Sequence, residues 1–84
     1  MPRHRLLWLE IAEQQYLDLP AELLGLVDAR LTQLMDDPTV DPDAAYNERS
    51  DQWSVPVDAH GFLFFAVVTD PPTVIVLRLV VDLG

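Results

Sequence analysis

The stretch from Gln52 to Val81, QWSVPVDAHGFLFFAVVTDPPTVIVLRLVV, constrains the fold more than any other part of this chain. Trp53, Val55 and Val57 alternate with Gln52, Ser54 and Pro56, the period-two pattern of a strand buried on one face. Pro56 has no N–H to give to a ladder, so this strand is expected at a sheet edge or at a bulge. Asp58-Ala59-His60-Gly61 reads as a turn. Phe62 to Val68 is apolar at every position, as in a central strand covered by helices on at least one side. Asp70-Pro71-Pro72-Thr73 is a second turn, and the β-branched run from Val74 to Val81 is a third strand. Together they predict an antiparallel meander. One charged residue, Arg78, interrupts the last apolar run.

The N-terminal half reads differently. RLLWL over 5–9 suits a short first strand or the lead-in to a helix. From Glu10 the period becomes helical, with Ile11, Ala12, Gln15, Tyr16 and Leu19 recurring near 3.6 residues. Pro20 ends that segment and suits the first turn of a second helix, where its missing N–H costs nothing. Leu23, Leu24, Val27, Leu31, Leu34 and Met35 make the apolar stripe of this second helix, which Pro38 stops. Glu22 lies near its positive end, and Gly25 weakens it by roughly 1 kcal/mol relative to alanine. Residues 36–50 read as an Asp- and Pro-rich loop. The predicted order is β-α-α-β-β-β, an α+β domain with a helical hairpin packed on an antiparallel sheet. The sheet's second face is expected to be either exposed and apolar or covered by a partner.

Eighty-four residues allow one domain, 1–84, with a real core because half the chain is apolar. The chain has no cysteine, so no disulfide framework is available, and the expected compartment is a reducing cytoplasm. Glu10 and Glu13 interrupt any secretory signal, and no run approaches the ~20 apolar residues that a membrane helix needs. Fourteen acids oppose five arginines, with no lysine, for a net charge of −9. Such a balance repels nucleic acid, whose binding rests on clustered cations. Arg3-His4-Arg5 is the only sequence cluster of that kind.

The ordered motifs resemble the RelE/ParE superfamily of toxins from bacterial toxin–antitoxin modules. The resemblance runs through LLWLEIAEQQYLDL, the Leu34-Met35-Asp36-Asp37-Pro38 helix end, DQWSVPV, GFLFFAVV and VIVLRLV. It implies a cognate antitoxin as partner. It also implies one of two targets: messenger RNA cut on the ribosome, as in RelE-like members, or DNA gyrase inhibited without catalysis, as in ParE-like members. RelE-like toxins usually carry an arginine on the strand after the glycine, where this chain has Phe62 or Phe64. A His-Arg or Lys-Arg pair past the final strand is replaced by Val81-Asp82-Leu83, and the C-terminal aromatic is missing. RNA cleavage needs a base for the 2′-hydroxyl, an acid for the leaving oxygen and cations for the phosphorane. Arg78 alone can serve there, as the cation, so weak or absent ribonuclease activity is expected.

Arg78 is therefore the candidate catalytic residue, and Arg49, Trp53 and His60 are candidate partner-binding residues. Each has a plainer reading: a solvent-facing strand residue for Arg78, a solvated turn for His60, a core anchor for Trp53 as for Trp8. Tyr46 and Arg49, just before the second strand, suggest a surface site without a specific role. Asp36, Asp37, Asp41 and Asp43 lack the EF-hand spacing and read as helix-end and turn aspartates, so no metal or cofactor is expected. The alternative to a toxin is a non-catalytic acidic interaction module of the same fold, binding a basic partner such as gyrase or a DNA-binding protein.

Overall fold

The computed structural model describes residues 3–38 and 42–81. Along the chain run β1 (Arg5–Trp8), α1 (Glu10–Leu17), α2 (Ala21–Asp36), β2 (Ala45–Asn47), β3 (Gln52–Pro56), β4 (Gly61–Thr69) and β5 (Pro72–Val81). The strands form one sheet in the order β1-β5-β4-β3-β2. The α+β class, the helical hairpin and the β3-β4-β5 meander are as the sequence predicts. Two features are added. Ala45–Asn47, within the expected loop, pairs antiparallel with β3, and β1 runs parallel to β5, so the sheet is mixed.

The hairpin forms where proline dictates. Pro20 caps α2 in extended geometry, and its carbonyl accepts the N–H groups of Leu23 and Leu24, both at 3.0 Å. Leu23, Val27, Leu31 and Leu34 are the buried stripe of α2. Leu24 and Met35, expected in that stripe, are only half-buried at its margins. In α1 only Ala12 is fully buried, whereas Ile11 of the expected apolar face is 62% exposed. A small residue lets α1 lie close against β5, and the bulkier neighbour is displaced outward.

Both helices lie on one face of the sheet. The β4–β5 register pairs Leu63 with Leu79, Phe65 with Val76 and Val67 with Val74, and these side chains meet the helices together with Val55 and Val57. Trp8 and Trp53 flank this core. Trp8 packs 4.9 Å from Tyr16, and Trp53 lies between Tyr46 at 5.1 Å and Phe65 at 6.4 Å.

Pro56 resolves its conflict with the ladder by position. Val57 donates its N–H to Gly61 on the β4 side at 2.8 Å, so by alternation Pro56 turns its nitrogen toward β2. The β2 pairing covers only Gln52 to Ser54, so Pro56 meets an open edge. Its carbonyl accepts the Nε–H of Arg30 at 2.8 Å, which ties α2 to the sheet.

Candidate functional site

The second face of the sheet has no helix over it among the described residues. Strand alternation and register decide what it presents. One row across the strands is Ala45, Ser54, Phe64 and Arg78, and the next is Asn47, Gln52, Ala66, Ile75 and Leu7. On one side of these rows lie Pro56, Phe62 and Val80, and on the other lie Val68, Thr73 and Arg5. Leu7 is 54% exposed, Phe62 49% and Val80 50%. In the isolated chain the face is thus exposed and apolar, which leaves both expected arrangements open.

Near its middle the face dips into an open trough of about 560 Å³, lined by Leu9, Asn47, Ser50, Gln52, Trp53, Ser54, Phe64, Leu77 and Arg78. A β-bulge produces its geometry. The β4–β5 register slips between Phe64 and Phe65, so that Arg78 faces Phe64 while Val76 faces Phe65, with Leu77 left over. Without that extra residue, strict alternation would put residue 77 rather than Arg78 on the open face. The Arg78 guanidinium lies over the Phe64 ring, 4.3 Å from its centroid. Such a stack contributes about 0.5–1 kcal/mol at an exposed site and leaves the guanidinium edge free to donate. No ion pair engages Arg78 or Arg5 among the described residues. By contrast, Arg3 pairs with Asp36 at 2.9 Å.

The partner-binding candidates do not converge. Arg49 sits in the β2–β3 turn, its backbone N–H donating to Asn47 Oδ1 at 2.9 Å, and His60 sits in the β3–β4 turn at the other end of β3. About 17 Å of strand separates the two turns. Trp53 borders the trough, yet its ring packs on the helix side with Phe65 and Tyr46. Only Arg78 of the sequence-chosen residues projects from the open face. Asn47, Ser50, Gln52 and Ser54, its polar surroundings, carry no motif; the alternation of Gln52 and Ser54 with Trp53 and Val55 was their only signal.

Chemically the trough offers neutral hydroxyls and amides, one guanidinium and aromatic or aliphatic walls. Among the described residues no histidine, carboxylate or tyrosine lines it, and Arg78 is the one cation they bring to it. Phe62 and Phe64, the two positions at which the sequence resemblance implies an arginine, both face the open side with aromatic rings. Of Val81-Asp82-Leu83, where the sequence resemblance implies a basic pair, Asp82 and Leu83 lie outside the described residues, as does Asp41 of the aspartate group. No cluster of three metal-ligating side chains occurs among the described residues.

Solved structures share this architecture over nearly all of the chain. The YoeB/ParE toxin from Agrobacterium tumefaciens matches with a TM-score of 0.80 at 12% identity, over 93% of this chain and 98% of its own. The toxin–antitoxin complex RelBE2 from Mycobacterium tuberculosis matches with a TM-score of 0.80 at 17% identity, over 100% of this chain and 97% of its own. This is the RelE/ParE-like toxin fold. No protein-family model and no curated protein matches the sequence. The likeness therefore lives in the backbone, and at such identity side chains are free to differ. No helix among the described residues is long and apolar enough to cross a membrane.

Proposed function

We propose that this chain is the toxin-type half of a toxin–antitoxin pair, working in the cytoplasm, with weak or absent mRNA-cleaving activity. The observation that carries the reading is the end-to-end fold likeness to a YoeB/ParE toxin and to RelBE2. The second of these is a toxin–antitoxin complex, which supports a small antitoxin docking on the helical hairpin and sheet. The doubtful catalysis follows from chemistry. In-line cleavage of RNA needs a proton acceptor, a proton donor and cations around the phosphorane. Among the described residues the trough lining includes Arg78 and no proton-transfer group.

Two measurements test the reading. Induced expression in a bacterial host is expected to slow growth, and co-expression of the adjacent small reading frame is expected to relieve it. Purified protein in a translation extract is expected to leave messenger RNA uncut. Ribosome-dependent cleavage lost in Arg78→Ala would overturn the catalytic half of the proposal.

A second reading is a non-catalytic interaction module that binds a basic partner such as gyrase or a DNA-binding protein. Charge placement favours it: the net charge is −9, and every acid among the described residues lies in a helix, turn or loop rather than in a strand. Harmless overexpression with salt-sensitive capture of a basic protein is its expected signature, and growth arrest at low dose counts against it.

A further inference from the structure

We propose that the open sheet face docks a protein segment in which apolar side chains flank one carboxylate, carried on a polypeptide that is basic overall. The inference deepens the reading of this face as the partner surface and rests on it. Two length scales of charge lead to it.

At contact range the face is apolar and positive. None of the residues in the five strands is acidic, although the chain has fourteen acids. Arg5 and Arg78 are the only charged residues in those strands, and both face the open side. Around Arg78, exposed Leu7, Leu9, Phe62 and Val80 call for apolar partners. A guanidinium covered by such a partner must find an acceptor, because burying it unpaired costs several kcal/mol. A carboxylate matches its fork, and Ser54 and Gln52 beside it can complete the hydrogen bonds.

Beyond roughly 8 Å the picture reverses. The strands end in acidic turns, with Glu48 and Asp51 before β3, Asp58 after it, and Asp70 between β4 and β5. Those turns and the net charge of −9 attract a cationic chain and repel an anionic one.

Other occupants fit less well. A second copy would bring Arg5 and Arg78 against their own equivalents, with no acid among the described residues of either face. Single-stranded nucleic acid would meet two cations about 15 Å apart on an acidic body, too few for counterion release to hold it.

Short random peptides displayed on phage and selected on the immobilised chain test this directly. The expected winners place Asp or Glu among Leu, Ile or Phe, with Lys or Arg toward the ends. A winning peptide should shift the backbone amide resonances of Leu7, Phe64 and Arg78, and Arg78→Gln should weaken it about tenfold or more, the scale of a lost desolvated charge pair. The exposed charge reversal Arg78→Glu should fold normally and select Lys or Arg at the centre instead. Winners without a central acid, equal binding by Arg78→Gln, or displacement of the peptide by a single-stranded RNA oligonucleotide would overturn the proposal. Growth assays keep the two readings apart. Acid-centred winners on a chain that never arrests growth keep the docking chemistry and discard the toxin reading. Growth arrest with no acid preference does the reverse.

Discussion

At the scale of single residues, fixed backbone positions leave little freedom. Gly61 has φ +156°, and a side-chain carbon there would overlap the Val80 carbonyl oxygen and approach Val81 Cα to 2.8 Å. Backbone atoms cannot rotate aside, so Gly61→Ala is expected to destabilise by about 1–3 kcal/mol in urea unfolding, as overpacking does. Two tyrosines add a pH dependence. Tyr16 donates its hydroxyl to Asp28 Oδ1 at 2.5 Å, and Tyr46 donates to Asp51 Oδ1 at 2.6 Å. These hydrogen bonds, then burial and the nearby carboxylate charge, raise both phenol pKa values above the usual 10.0. A raised folded-state pKa gives stability that is complete below the unfolded value and lost as pH rises through the folded one. Unfolding curves taken across the alkaline range should therefore show stability falling above pH ~10. The Tyr16→Phe, Tyr46→Phe double variant should show a smaller fall.

At the scale of elements, the two helices do different work. Leu34 of α2 is almost fully buried, so Leu34→Ala is expected to cost about 2–5 kcal/mol, whereas Leu17→Ala on the 61%-exposed side of α1 should change stability by under about 0.5 kcal/mol. Equal losses at both sites would mean that α1 buries its outer face against something else. The smaller helix earns its place through Gln15, whose Oε1 accepts the Leu79 N–H at 2.8 Å. The parallel β1 pairs with β5 only from Thr73 to Val76, so β5 runs on past its neighbour with an open edge. Gln15 closes part of that edge from the helix side. Gln15→Leu should cost about 1–3 kcal/mol by leaving that amide unpaired, and faster hydrogen exchange at Leu79 would report it. This contact was invisible in the sequence, where Gln15 counted only as a helix-face residue. The periodicity of Leu23, Val27, Leu31 and Leu34 was plain, because one stripe meets one sheet face. Ile11 misled for the opposite reason: α1 approaches β5 through Ala12, and an apolar residue one position away is turned to solvent.

At the scale of the whole molecule, charge is segregated between an acid-free sheet and acidic helices and turns. Binding of a basic partner is expected to weaken steeply with added salt through the association rate, while Phe62→Ser should change mainly the dissociation rate. Stopped-flow measurement at two ionic strengths separates these effects, and a salt-independent association rate would count against long-range attraction. By itself the sequence determined the α+β class, the helical hairpin, the three-strand meander and the scarcity of basic residues, because periodicity, proline positions and composition are local properties. Tertiary structure alone decided the parallel β1–β5 pair, the short β2 and the side to which Arg78 turns. Those depend on pairings between residues far apart in the chain and on the one-residue bulge at Leu77, which changes the face of every side chain beyond it.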